Sequence, residues 1–305
     1  MSPLRKRAYL ELLVVAIIWG CASPVIKYTL GGFSPAIFLT YRFFISTVIA
    51  VIIFFFVKMK IPKNPKTMGI ILINGFLLST VSLGLLFLGT DKTTSIESNL
   101  ISTMSPIIIA VAGVFFLRER ITKRESLGIL IALGGTLITI IEPILKFNQG
   151  FTGLTGNLLV LASVIVSAAT AILAKIALRD EADALFATNV SFIVGFLTLI
   201  PFTLRQILNA DFQVLTSVPI GYHLGVFYMA ILSGTLAYFL WHKAEKTIEV
   251  GEVNLVAYLY PVFGAPLSLL WLKEKIETPF IIGGIIIIIG VALAQWKKRS
   301  YVISA

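Results

Sequence analysis

The chain has 305 residues, of which 57% are hydrophobic and only 13% are charged. A soluble domain of this size carries about 25% charged and about 45–50% apolar residues, and it cannot bury this much hydrocarbon. Composition therefore predicts a membrane protein and excludes a cytosolic enzyme and a disordered chain. Because Cys21 is the only cysteine, an intramolecular disulfide and a thiolate metal cluster are excluded too. The net charge of +10 does not indicate nucleic acid as a partner, because the basic residues stand in short clusters between apolar runs.

These apolar runs are long enough to cross a bilayer, which takes about 20 mostly apolar residues per helix. Ten segments are predicted to do so: 9–28, 36–57, 69–89, 95–117, 126–145, 154–178, 184–204, 222–243, 252–272 and 278–296. The loops between them are short and leave no room for a soluble domain. The predicted fold class is an all-α membrane protein of ten transmembrane helices, with the lipid bilayer as its surroundings.

Basic residues predict the orientation of these helices, because cytoplasmic loops carry an excess of lysine and arginine. If the N-terminus is cytoplasmic, 18 of the 25 basic residues fall on the cytoplasmic side and 6 on the other, and Arg42 stays inside a span. We therefore expect a multi-pass protein with both termini in the cytoplasm.

An internal repeat emerges when the chain is compared with itself at an offset of 155 residues. Between positions 97 and 135, 11 of 39 positions are identical without a gap. Shared Leu and Ile could result from the apolar composition alone, but identities of polar residues, proline and glycine in one register are harder to explain that way. They include Glu97/Glu252, Asn99/Asn254, Pro106/Pro261, Gly128/Gly283 and Gly135/Gly290. The chain is thus predicted to consist of two halves, 1–149 and 150–305.

Each half would contain five helices, and an odd number forces the second half to enter the membrane upside down. Inverted repeats are typical of secondary transporters, in which the solute site lies near the midplane between the halves. Exchange of conformations between the halves then gives alternating access. The alternative is a duplicated membrane protein without a transport role.

The repeated motif resembles the signature of the EamA family, in the drug/metabolite transporter superfamily. The first copy is Ser-Pro-Ile at 105–107, Leu-Arg-Glu-Arg-Ile at 117–121 and glycines at 128 and 134–135. Its echo is Tyr-Pro-Val at 260–262, Leu-Lys-Glu-Lys-Ile at 272–276 and Gly-Gly at 283–284. The resemblance covers nearly the whole chain and implies ten helices, inverted repeats, a central cavity and an inner membrane. It also implies export of amino acids or other small metabolites.

Three prolines are predicted to break helices, because proline lacks an N–H and clashes with the carbonyl four residues before it. These are Pro24, Pro106 and Pro261, and Pro24 frees the carbonyl of Gly20. Within a membrane, a freed carbonyl must be satisfied by protein or by water in a cavity. The breaks therefore either bind solute and flex during gating, or are kinks satisfied by neighbouring helices.

A polar stripe runs along one face of the fourth predicted helix, where Asn99, Ser102 and Thr103 recur at helical spacing. Its counterpart in the second half carries Asn254 and Tyr258. One interpretation is a cavity lining that binds the polar part of a solute. The other is hydrogen bonding between helices. Because the repeat pairs the two faces, we favour the cavity lining.

Arg42 and Trp19 are further candidates for contact with the solute. A charge inside a span is costly and usually faces a cavity or a partner, and the planar fork of Arg42 suits a substrate carboxylate. Alternatively, Arg42 pairs with Glu97 or extends to the membrane surface. Trp19 and Gly20, followed by Pro24, resemble the opening motif of the EamA family within the first helix, and partly on that resemblance Trp19 is expected to stack on a solute.

Glu97, Glu252 and His242 are candidates for proton coupling. A carboxylate in a partly dehydrated vestibule can carry a proton or attract a cationic solute, and a histidine titrates near neutral pH. The alternative for both glutamates is the favourable interaction of an acidic residue with a helix N-terminus.

The chain has no Gly-rich phosphate loop, no His-Glu-x-x-His motif and no intramembrane aspartate pair. We therefore predict no catalytic residue, no metal and no cofactor. The predicted function is a secondary transporter whose partner is a small-molecule substrate, such as an exported amino acid. One rival is an antiporter of sugar phosphates or nucleotide sugars, which would need several cationic residues where the chain offers Arg42 and Lys27. The other is a structural or signalling subunit of the membrane.

Overall fold

The computed structural model describes residues 3–117, 123–145, 150–179, 183–209, 217–245, 257, 259–276 and 278–295. These residues are helical with short connections, and no strand occurs among them, which confirms the all-α class. The helices of the first half are α1 (Pro3–Gly20), α2 (Ala22–Thr29), α3 (Pro35–Phe56), α4 (Pro65–Phe76), α5 (Leu83–Lys92), α6 (Ser95–Ser102), α7 (Ser105–Leu117) and α8 (Lys123–Leu145).

The helices of the second half are α9 (Gly150–Arg179), α10 (Ala184–Asn209), α11 (Ile220–Phe227), α12 (Ala237–Glu245), α13 (Tyr260–Trp271) and α14 (Thr278–Gln295). Two π-helical segments, π1 (Leu77–Ser82) and π2 (Tyr228–Leu236), join α4 to α5 and α11 to α12. At the repeat offset π1 corresponds to 232–237, which overlaps π2. Wide helical turns of this kind are frequent at functional sites.

Local sequence explains where several helices begin. The side chain of Ser34 accepts a hydrogen bond from the first turn of α3, Asn64 does the same for α4, and each is followed by a proline at the first helical position. Thr94 and Glu97 form a reciprocal capping box at the start of α6.

Six of the described helical segments are long and apolar enough to cross a membrane. They are Leu4–Thr29, Pro35–Phe56, Pro65–Lys92, Gly153–Ala177, Ala184–Leu204 and Ile220–Trp241. Large apolar side chains such as Phe55, Phe56 and Leu270 are more than four-fifths exposed, as expected for surfaces that face lipid. The protein is therefore a multi-pass α-helical membrane protein, and the full set of ten spans stays a prediction.

Helices α8 and α14 pack with their backbones in contact. A Cβ built on Gly135 would lie 2.7 Å from the carbonyl oxygen of Gly283, and one built on Gly290 would lie 2.6 Å from that of Gly128. Glycine is required at such distances because any side chain would overlap the facing backbone. The contacts run in opposite order along the two helices, so α8 and α14 are antiparallel.

The same antiparallel order holds for two more pairs of helices drawn from the two halves. In one, Thr40 of α3 meets Thr203 of α10, while Thr47 meets the carbonyl of Phe192 nearer the other end. In the other, Ser95 of α6 meets Ser268 of α13 at 2.7 Å, and Asn99 lies against Gly264. Helices of one half are therefore packed largely against helices of the other.

Candidate functional site

Two helix breaks meet in the packed interior. The first separates α1 from α2 at Cys21, and Pro24 lies in the first turn of α2. The second separates α6 from α7 at Thr103 and Met104, and Pro106 lies in the first turn of α7. The segment predicted as one helix over 95–117 is thus two shorter helices, because Pro106 cannot donate to the carbonyl of Ser102.

Asn99 connects the two broken helices. Its Nδ2 donates to the carbonyl oxygen of Gly20 at 3.1 Å, and its Oδ1 accepts from the Ser23 hydroxyl at 3.0 Å. The carbonyl that Pro24 frees is therefore satisfied by protein. Gly264 of α13 packs so closely on this junction that a Cβ there would lie 1.9 Å from Asn99 Nδ2. The Asn99 amide therefore makes hydrogen bonds between helices, which was one of its two predicted roles. Its contact with a solute stays a prediction.

The hydroxyls of Ser102 and Thr103 bond to their own helix. Ser102 donates to the carbonyl of Ser98 at 2.7 Å, and Thr103 donates to that of Leu100 at 2.6 Å. Each oxygen keeps lone pairs for a further donor. Their predicted place in a cavity lining stays a prediction.

Trp19 stands in an aromatic cluster between α1 and the second half. Its Nε1 donates to the carbonyl of Ser233 in π2 at 2.9 Å. Its ring centroid is 5.2 Å from that of Tyr238, 5.1 Å from that of Trp241 and 6.3 Å from that of Tyr260. The arrangement gives the centre of the molecule an aromatic wall with contributions from α1, α12 and α13.

Arg42 lies in the interior and not at the membrane surface, with only 2% of its surface exposed. Its guanidinium carbon is 5.4 Å from the ring centroid of Phe43 and 5.9 Å from that of Phe87. Within the described residues, Arg42 Nε and Nη1 have no hydrogen-bond partner. Buried polar groups are almost always paired, so this side chain departs from the rule.

Glu97, the alternative partner for Arg42, is engaged elsewhere. Its Oε2 accepts from the hydroxyls of Thr93 and Thr94 at 2.5 and 2.9 Å, and its Oε1 lies 3.4 Å from the Asn157 amide nitrogen. The carboxylate is 5% exposed and caps α6, as the helix-terminus interpretation expects. Its role in proton coupling stays a prediction.

Beside this cap lies a cavity of about 500 Å³, lined by Lys27, Lys92, Thr93, Thr94, Gly153, Leu272 and Glu274. Glu274 closes one wall by accepting hydrogen bonds from the backbone N–H groups of Ser95 and Ile96 at 2.8 and 3.1 Å. Lys273, with φ 54°, turns the chain so that Glu274 points back at α6. Lys27 donates to the carbonyls of Thr90 and Asp91 at the end of α5.

Several predicted residues cannot be placed in this site. Glu252, Asn254 and Tyr258 lie outside the described residues, as does the side chain of His242, although α12 contains its backbone. Pro261 is described and lies in the first turn of α13.

Sequence reasoning missed Ser46 and Asn157. Ser46 follows Arg42 by four residues, so helical spacing alone places both on one face of α3. Asn157 carried no such signal, because its contact with Glu97 joins positions 60 residues apart.

The described residues thus define a class, namely multi-pass α-helical membrane proteins with broken helices in the interior. The model of the EamA-like transporter family matches residues 6–141 and again 154–296, and the chain belongs to this family.

Relatives cover nearly the full chain. The uncharacterized transporter YetK of Bacillus subtilis (strain 168) is 28% identical over 299 residues, which are 96% of this chain and 88% of YetK. YyaM of the same organism, also an uncharacterized transporter, is 27% identical over 95% of this chain and 94% of its own length. A crystal structure with 18% sequence identity shares the fold, with a TM-score of 0.64 over 94% of this chain and 96% of that one.

Proposed function

We propose that this membrane transporter is a secondary transporter that exports a small organic metabolite, such as an amino acid, by alternating access. The observation that carries the proposal is the junction at Asn99, where two broken helices meet inside the bundle and are tied by hydrogen bonds. Broken helices at the midplane are where transporters bind solute and change conformation.

Packing supports the inverted repeat that alternating access requires. Helices α3 and α10 are equivalent at the repeat offset, as are α8 and α14, and the helices of each pair run antiparallel to each other. Equivalent helices that run in opposite directions are what two oppositely oriented halves would give. We place both termini in the cytoplasm of the cell inner membrane, because that orientation puts most basic residues inside.

In this proposal the solute binds between the halves, against Trp19 and Arg42 and beside the junction at Asn99. In this proposal Pro24, Pro106 and Pro261, each in the first turn of a helix, mark the ends of the segments that move. No covalent chemistry is involved.

Counterflow in liposomes tests the proposal. Full-length protein is reconstituted in liposomes loaded with an unlabelled amino acid, and entry of a labelled amino acid is followed without ATP, over a panel of amino acids. We expect transient accumulation of label for at least one, because an alternating carrier exchanges faster when solute is present on both sides. A structural subunit would give the same trace as protein-free liposomes, and that result for every amino acid would contradict the proposal.

Proton coupling is a separate part of the proposal. If protons drive export through Glu97, Glu252 and His242, the combined change Glu97→Gln, Glu252→Gln and His242→Gln flattens the pH dependence of counterflow. Transport by the triple variant that is as steep in pH as the wild type would remove these residues from the mechanism.

A further inference from the structure

Among the described residues, the guanidinium of Arg42 has no counterion, although its buried position calls for one. It is nearly closed off from solvent, and no ion pair joins it to any acid among the described residues. The nearest candidate from the sequence, Glu97, has its oxygens engaged by Thr93, Thr94 and Asn157. A buried charge without a partner is strongly unfavourable, so an interior arginine of this kind points to a ligand that completes the site.

A guanidinium has two edges that can bind a carboxylate, and in Arg42 each edge contains one nitrogen without a partner among the described residues. A carboxylate binds an arginine either along the edge that contains Nε or along the edge formed by the two terminal nitrogens. Nε belongs to the first edge and Nη1 to the second, and neither nitrogen has a partner in the described part of the chain. Either edge can therefore take part in a charge-assisted contact with a carboxylate.

Ser46 adds a second unpartnered donor on the same face of α3. It lies one helical turn beyond Arg42, is 1% exposed, and its Oγ has no hydrogen-bond partner among the described residues. Across from it, Gly234 of π2 lies so close that a Cβ there would be 3.6 Å from this hydroxyl. Ser46 therefore lies where α3 meets π2, and Arg42 lies one turn away on the same helix.

The surroundings of these donors are aromatic. The guanidinium carbon lies 5.4 Å from the ring centroid of Phe43 and 5.9 Å from that of Phe87. Among the described residues no second cation approaches Arg42 to share a doubly charged group. The chemistry matches a single negative charge attached to an apolar or aromatic body.

We infer that Arg42 and Ser46 form an anion subsite that binds the carboxylate of a monoanionic, largely apolar organic acid. This inference rests on the proposed transport function and identifies the carboxylate as the part of the solute that the protein recognises. An amino acid satisfies it through its carboxylate, and its ammonium group is not required. Because Arg42 is buried in the state described, the solute reaches it only when the helices around it separate.

Four probes with one shared body and different head groups test the subsite. Phenylacetate carries one carboxylate, L-phenylalanine adds an ammonium, phenethylamine carries only the ammonium, and benzylphosphonate carries up to two negative charges. The midpoint of thermal unfolding of the full-length protein in detergent is measured against the concentration of each. We expect phenylacetate and L-phenylalanine to raise the midpoint, benzylphosphonate to raise it less, and phenethylamine to leave it unchanged. Binding of phenethylamine alone, or no response to either carboxylate, would overturn the inference.

Variants then assign the response to the subsite. Arg42→Met and Ser46→Ala are compared with Lys60→Met, which removes one exposed charge far from the site. For phenylacetate, we expect Arg42→Met to weaken binding by about tenfold to a hundredfold, as loss of a charged hydrogen-bonding partner implies, and Lys60→Met to leave it unchanged. Arg42→Lys keeps the positive charge but loses the planar guanidinium. Its affinity for phenylacetate should therefore fall between those of Arg42→Met and Lys60→Met.

The unliganded variant distinguishes a binding role from a structural one. Because Arg42→Met removes an uncompensated buried charge, its midpoint without ligand should equal or exceed that of the wild type. A large fall in the midpoint would show that Arg42 has a structural partner, and the inference would be wrong. If liposomes exchange amino acids but no carboxylate binding depends on Arg42, the subsite fails and transport stands. If phenylacetate binding depends on Arg42 but no solute is exchanged, the proposed function fails and the subsite stands.

Discussion

At the scale of single residues, Asn99 carries the clearest energetic consequence. In Asn99→Ala, the carbonyl of Gly20 and the hydroxyl of Ser23 lose their partner inside the bundle. An unsatisfied buried polar group costs about 1–3 kcal/mol, so the unfolding midpoint in detergent should fall by several degrees. Ser102→Ala is the matched control, because that hydroxyl bonds only to its own helix and its loss should have little effect. Equal midpoints for the two variants would show that the junction does not hold the helices together.

The sequence predicts only part of this junction. The missing N–H of Pro24 requires a partner for the Gly20 carbonyl, and that requirement follows from covalent structure alone. Which residue supplies the partner depends on tertiary packing, since Asn99 lies 79 positions away. For the same reason, the orphaned nitrogens of Arg42 become visible only once its neighbours are in place.

At the scale of helices, the pair α8 and α14 provides a comparison between adjacent glycines. A Cβ on Gly134 would meet nothing within 4 Å, whereas one on Gly135 would lie 2.7 Å from the backbone of Gly283. Gly135→Ala should therefore destabilise the protein by about 1–3 kcal/mol, as overpacking does. Gly134→Ala should be neutral or stabilising by up to about 1 kcal/mol, because alanine favours the helix. The measurement is the denaturant midpoint of each variant in detergent, and the reverse order would contradict the packing described.

The location of the long helices was easier to predict from the sequence than the form of their interruptions. Apolar length alone identifies the spans that the structure shows as long helices, since about 20 apolar residues meet the thickness of the bilayer. The interruptions at Cys21 and at Thr103 and Met104 follow from prolines whose positions were plain in the sequence. The π-helical segments had no local signal in the sequence. In π2, the carbonyl of Ser233 accepts a hydrogen bond from Trp19, a contact between positions far apart in the chain.

At the scale of the whole molecule, the orientation in the membrane is open to a direct test. Lys60 and Lys92 are both exposed and lie at opposite ends of the helical segment that contains α4, π1 and α5. In a Cys21→Ala background, Lys60→Cys should react with a membrane-impermeant thiol reagent only from the cytoplasmic side, and Lys92→Cys only from the outside. Labelling in the opposite sense would invert the proposed topology.

The glycine contacts between α8 and α14 have a consequence for motion. When each residue is replaced by its repeat partner, the contact of Gly135 with Gly283 becomes that of Gly290 with Gly128. In the alternating-access cycle that we propose, these two contacts exchange places when the halves exchange conformations, so neither has to open and the pair α8 and α14 is expected to act as the axle of the motion. In the same proposed cycle, the bond of Glu274 to the start of α6 belongs to one end state and is expected to open in the other.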